Sequence, residues 1–287
     1  MIVVLGEALS IAGALSWAAS TVLLAETLKD IDPLSVNALK TLFAVLSTLP
    51  IALVMGELQN LPNLSFYGFL FVTLAAIIGF GVGDTLLFKS INLIGVSRSY
   101  TIAYTYPLFT IVFAVLFLSE PFLLKYLLGT VMIFIGVVGV SVSSNAEVNR
   151  ENYRGLLAAL ATAILWAIGT VLVALGLNEM STILANTVRF PLLFIFLLPV
   201  SRFWRKKLRL TKRDWIFLAT SGILGMTLGG IAFLFSVQLI GASRATSLSS
   251  SSPVLASLMS SFFLKEKVTW RVIASSIMVV LGIYFLT

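Results

Sequence analysis

A chain of 287 residues with 59% hydrophobic and only 11% charged side chains lacks the charge needed to solvate the surface of a soluble domain of this length, so lipid is the expected solvent. Its 19 Lys and Arg against 12 Asp and Glu give a net charge of +7, and the absence of both Cys and His excludes disulfides, thiolate nucleophiles, the usual zinc sites and the histidine proton switch. A basic balance suits either nucleic acid or the loops of a membrane protein, and the position of the charges decides between them.

Apolar runs long enough to span roughly 30 Å of hydrocarbon, separated by short polar breaks, begin with Ile2–Ala25, Leu34–Met55, Phe66–Phe88, Ser99–Leu118 and Leu124–Ser143. They continue with Gly155–Leu177, Thr182–Val200, Trp215–Val237, Ala245–Leu264 and Trp270–Leu286, predicting ten transmembrane helices. The first run has no basic segment before it and no small-residue cleavage site after it, so it reads as a span and not as a removed signal peptide. Breaks such as Asp30-Ile31-Asp32-Pro33 carry turn residues, and no soluble domain fits between spans.

The second half repeats the first. Gly6, Trp17, Asn37, Lys40 and Pro50 recur 149 positions later as Gly155, Trp166, Asn186, Arg189 and Pro199. After a three-residue gap the offset is 146, taking Gly79, Gly83, Ser97, Arg98, Pro107, Glu120 and Gly136 to Gly225, Gly229, Ser243, Arg244, Pro253, Glu266 and Gly282. The chain therefore divides into five-helix repeats over residues 1–145 and 152–287. An odd number of spans per repeat inverts the second relative to the first, an architecture that places a site near the bilayer midplane between the repeats. The predicted fold is thus an all-α integral membrane protein with ten transmembrane helices in two inverted five-helix repeats.

With Trp17 and Trp166 in the first span of each half, an I-G-x-S-R junction at Ile94 to Arg98 and Ile240 to Arg244, Pro107 and Pro253 inside the fourth spans and Glu120 and Glu266 after them, the whole chain resembles the EamA-like branch of the drug/metabolite transporter superfamily. The resemblance implies ten spans and export or exchange of metabolites such as amino acids or drugs. The first-span Glu that drives proton exchange in the related small multidrug resistance proteins has no clear counterpart, since Glu7 and Glu26 lie at the ends of span one.

Basic residues gather on one side. Lys29, Lys89, Arg98, Arg150, Arg154, the cluster from Arg202 to Arg213, Lys265, Lys267 and Arg271 fall opposite the N-terminus, and Lys125 and Arg244 on its side. The positive-inside rule then predicts that both termini are non-cytoplasmic in a multi-pass cell-membrane protein. The cluster reads as a topology signal compatible with anionic lipid contact, not as a nucleic-acid patch.

Charges within spans are costly enough to mark function. Lys40, about two turns into span two, and Asp84, about one turn from the end of span three, fall at similar depth and can form an ion pair, handle substrate or protons, or snorkel separately. Arg189 repeats Lys40, but Gly230 stands where Asp84 would recur. Arg189 is free to hold a substrate carboxylate, or to pair with Glu7 or Glu179. Ser249 and Ser250 before Pro253, and Tyr104 before Pro107, mark breakable polar stretches expected at a cavity, where each Pro frees a carbonyl one turn earlier. Trp17, Trp166, Asn37 and Asn186 are further candidates for the cavity wall, with packing and helix contact as the alternative. Pro107, Pro253, Gly83 and Gly229 are candidate hinges. The run Ile78-Gly79-Phe80-Gly81-Val82-Gly83-Asp84 lacks the strand and Lys of a nucleotide loop. No metal or cofactor is expected. The function expected is secondary-active transport of small organic metabolites, with a proton or other ion as a possible coupling partner; the alternatives are a passive channel and a membrane-embedded enzyme.

Overall fold

The computed structural model describes residues 1–27, 31–141, 150–201, 210–263 and 270–286. Glu26, Lys29, Lys265, Glu266, Lys267 and most of the basic cluster from Arg202 lie outside the described residues or their described side chains. All regular structure among the described residues is helical. In the first half α1 spans Ile2–Thr27, α2 Pro33–Val54, α3 Phe66–Ala75, α4 Asp84–Ile94, α5 Val96–Ala103, α6 Tyr106–Phe117 and α7 Leu124–Ser141. In the second, α8 spans Arg150–Leu177, α9 Thr182–Val200, α10 Lys212–Ser221, α11 Gly229–Ile240, α12 Ala242–Ser249, α13 Ser252–Phe263 and α14 Trp270–Leu286.

Short polar side chains start these helices where the sequence places turns. Asp32 accepts the Ser35 amide ahead of Pro33 in α2, Ser65 the Gly68 amide in α3 and Ser181 the Leu184 amide in α9, each satisfying one of the donors that a helix start leaves open. Thr211 and Asp214 form a reciprocal capping box at α10.

Seven stretches among the described residues are long and apolar enough to cross a membrane: Ile2–Leu24, Pro33–Val54, Phe66–Ile94, Ser99–Phe117, Tyr153–Leu177, Thr182–Val200 and Lys212–Ile240. Shorter apolar helices, Leu124–Val138 and Ile277–Leu286, stand where spans five and ten are expected. The expected ninth span runs through α12 and α13 towards residues outside the description.

Two of the long stretches are interrupted at matching places. Between α3 and α4 the chain forms a π-helix over Ala76–Gly83, and between α10 and α11 another over Gly222–Leu228, beginning 146 positions later. In each the closing amide reaches back five residues, Asp84 to Gly79 and Gly229 to Leu224. The fourth spans break as well. Tyr104 and Thr105 separate α5 from α6, and Ser250 and Ser251 separate α12 from α13, with Pro107 and Pro253 at the second residue of the downstream helix in each half. Proline has no amide to donate to the preceding turn, so the helix restarts there.

The sharp turn from third to fourth span rests on glycine. Gly95 and Gly241 share φ 81° and ψ 164°, backbone that is essentially confined to Gly. Replacing either with Ala is expected to cost roughly 1–3 kcal/mol. Gly241→Ala should cost more, because its Cβ would lie 2.9 Å from Glu120 Oε1, whereas a Cβ on Gly95 meets nothing within 4 Å. Thermal unfolding of the two purified variants checks the order; equal midpoints would refute it.

The halves interlock. α1 lies against α10 and α11 of the second half, α8 against α3 and α4 of the first, α2 pairs with α9 and α7 with α14. The last contact is close because Gly129 and Gly282 face each other, so that a Cβ on Gly129 would lie 2.8 Å from the Gly282 carbonyl and one on Gly282 2.7 Å from that of Gly129.

Candidate functional site

The interlocked first and third spans of both halves, with α2, α5, α6 and α9, line a half-open cavity of about 130 Å³. Of the residues singled out in the sequence, Trp17, Lys40, Asp84, Tyr104, Trp166 and Arg189 line it. They come from both repeats.

Asp84 heads α4 at the end of the first π segment. Its Oδ2 accepts from Lys40 Nζ at 2.6 Å and its Oδ1 from Trp166 Nε1 at 2.9 Å. Lys40 and Asp84 are each 6% exposed, so the charges face one another in a medium that screens them little, and the Lys40 ammonium also lies 5.0 Å from the centre of the Phe88 ring. The similar depth read from helix rise thus ends in a direct ion pair. Trp166 is brought to the carboxylate by Gly83, where a Cβ would stand 3.1 Å from its ring. Gly229 plays the same part under Trp17, at 3.0 Å, and Trp17 Nε1 donates to the Gly225 carbonyl at 2.9 Å. Both candidate hinge glycines therefore have a packing reason to be glycine.

Arg189 has a different surrounding. Its guanidinium lies 5.0 Å from the centre of the Phe80 ring and 4.9 Å from that of Phe190, and among the described residues no carboxylate is within ion-pair reach. Glu7, one expected partner, is taken by Arg244 at the N-terminal end of the bundle. Asn186, one turn earlier in α9, has neither amide atom hydrogen-bonded, although it is fully buried.

Asn37 does not line the cavity. It donates to the Phe80 carbonyl at 2.6 Å and to Thr85 Oγ1 at 3.2 Å, satisfying backbone that the π turn leaves open. Ser249 and Ser250 are also outside the wall. They bond back to the Thr246 carbonyl at 3.0 and 3.1 Å, and Ser249 reaches the site only through the Tyr106 hydroxyl at 2.6 Å.

Five cavity aromatics escaped the selection from sequence: Phe80, Phe88, Tyr100, Tyr106 and Phe233. Tyr100 precedes Tyr104 by four residues, the spacing that puts both on one helix face, and the rings stack with centres 5.5 Å apart. Tyr104 and Tyr106 then meet the Trp166 ring edge-on, each at 5.6 Å. The result is an aromatic chamber holding one compensated ion pair and one further cation.

Glu120 also acts across the halves. Its two carboxylate oxygens accept the amides of Ala242 and Ser243 at 2.6 and 3.1 Å, capping α12 immediately after Gly241.

The sequence pattern of the EamA-like transporter family matches residues 4–142 and again 153–287. An uncharacterized transporter of Archaeoglobus fulgidus is 25% identical over 283 residues, covering 97% of this chain and 96% of its own. The uncharacterized transporter YvbV of Bacillus subtilis is 24% identical over 185 residues, 63% of this chain and 60% of its own. A solved protein crystal structure superposes with a TM-score of 0.79 at 18% identity, covering 98% of this chain and 96% of that one; at this identity the likeness speaks for the fold alone.

Proposed function

Because the chain belongs to the EamA-like transporter family, we propose that it is a secondary-active carrier of small organic solutes that alternates access to the central cavity. The observation that carries this reading is the duplication of the breaks around that cavity: the π segments Ala76–Gly83 and Gly222–Leu228, and the Pro107 and Pro253 breaks, occupy matching places in the two halves. Ten spans in two inverted repeats would turn these into equivalent weak points facing opposite sides of the bilayer, and exchanging their states would open the cavity to one side and then the other. A fixed pore needs no such pair. The drive in this reading is an ion or solute gradient, and the gathering of Lys and Arg opposite the N-terminus supports a topology with both termini on the non-cytoplasmic side.

Counterflow in proteoliposomes preloaded with amino acids, sugars, organic acids or cationic drugs tests it. The expected result is saturable uptake of labelled solute only into vesicles holding the same or a related solute. Flux that stays linear in concentration and indifferent to the internal solute would point to a channel, and conversion of the solute to a product would point to an enzyme.

A further inference from the structure

The repeats part company at one position in the cavity wall. In the first, Lys40 faces Asp84; in the second, Arg189 faces Gly230, which stands 146 positions after Asp84. A Cβ built on Gly230 would lie 3.3 Å from Arg189 Nη2 and 3.7 Å from Asn186 Oδ1. An aspartate there would therefore meet the guanidinium much as Asp84 meets Lys40. The counter-ion is gone, but the groups that would bind it remain. Arg189 is 3% exposed with Nε unbonded, and Asn186 is 0% exposed with Nδ2 and Oδ1 both unbonded. Buried donors in this condition are stabilised by whatever brings them an acceptor.

We propose that the space over Gly230 is a carboxylate slot, and that the solute carried is a monoanion whose carboxylate stands in for the missing counter-ion. This rests on the cavity being the transport site. The guanidinium offers two parallel N–H donors to a carboxylate. The remainder of the solute lies among Trp17, Tyr104, Trp166 and Phe233, so it is apolar or aromatic. For scale, a dry apolar cavity of about 150 Å³ holds one benzene, and this half-open one measures about 130 Å³. A body of about one ring, or a branched chain of similar volume, fits.

A zwitterion fits less well. Asp84 is the carboxylate in the described lining, and its oxygens already accept from Lys40 and Trp166, so a solute ammonium would have to displace an internal cation. The slot discriminates by charge because a neutral or cationic analogue leaves the guanidinium unpaired.

Isothermal titration of the purified full-length chain with benzoate, benzyl alcohol, benzylamine, phenylalanine and nitrate tests the slot without requiring transport. Benzoate should bind, with each of the others at least about tenfold weaker, the worth of one charge-assisted pair. Gly230→Asp should abolish benzoate binding and raise the unfolding temperature, because it supplies Arg189 with a built-in partner. Gly230→Asn, the uncharged control for added volume, also fills the slot but gives Arg189 no counter-charge, so it should weaken benzoate binding without the rise in unfolding temperature. Equal binding of benzylamine, phenylalanine or benzyl alcohol, displacement of benzoate by nitrate at equal concentration, or an Asp variant that unfolds no later than the Asn variant would overturn the slot. A chain that binds benzoate selectively yet shows no counterflow would refute the carrier reading and leave the slot standing; counterflow blind to charge would do the reverse.

Discussion

Asp84→Ala is expected to destabilise the protein by about 3–5 kcal/mol, the usual cost of leaving one member of a buried ion pair without the other. The reason is local. Asp84 receives the Lys40 ammonium at 2.6 Å and the Trp166 indole at 2.9 Å, and both charged residues are 6% exposed, so removing the carboxylate strands a cation and an N–H donor together. The Phe88 ring beneath Lys40 offsets about 0.5–2 kcal/mol at most. Removing both charges is a different perturbation. Lys40→Met with Asp84→Leu takes away the desolvation cost along with the attraction, and such exchanges are often neutral or better for stability. The double variant should therefore recover most of the lost unfolding midpoint while remaining inactive in counterflow. A single variant that melts like the wild type would show that the pair does not hold α2 to α4, and a double variant that transports normally would show that neither charge serves the cavity.

The ion pair was within reach of the sequence because only helix rise is needed to set Lys40 and Asp84 at one depth. The repeat was legible for a similar reason: Gly95 and Gly241, or Pro107 and Pro253, are residues whose backbone demands leave few substitutes, so the same local geometry keeps the same letter. What stayed hidden depended on which of several good partners a group finds. Ser249 and Ser250 look like cavity residues, but the Thr246 carbonyl one turn back satisfies them first. Asn37 looks like its repeat partner Asn186, yet only Asn37 meets an open π-turn carbonyl, and a π segment announces itself in sequence by little more than glycines. Glu120 is 122 positions from the Ala242 amide it caps, and no local pattern encodes that contact. Glu7 stood as an expected partner of Arg189, but the packing of α1 against α12 gives it to Arg244.

Arg189→Gln should give the opposite pairing of effects from Asp84→Ala: transport lost with stability nearly unchanged. A cation in the middle of a span costs about 2.5–3.5 kcal/mol on insertion scales. The two rings that flank Arg189, Phe80 at 5.0 Å and Phe190 at 4.9 Å, return some of this, at roughly 1 kcal/mol each. The remainder is small, and glutamine relieves it while keeping a planar polar head beside Asn186, so the unfolding midpoint should move by no more than about 1 kcal/mol in equivalent free energy. Counterflow of an anionic solute should nevertheless fall by about 10–100-fold, the loss of a charge-assisted bidentate contact worth about 1.5–3 kcal/mol. Arg189→Lys adds a finer test, because an ammonium preserves the charge but not the planar fork, and partial recovery would place the geometry of the donor pair alongside its charge in recognition. A Gln variant that unfolds early would assign Arg189 to the architecture. One that folds normally and exchanges an anion at the wild-type rate would remove it from the site, leaving the Lys40–Asp84 pair as the charged group in the cavity wall on which recognition has to rest.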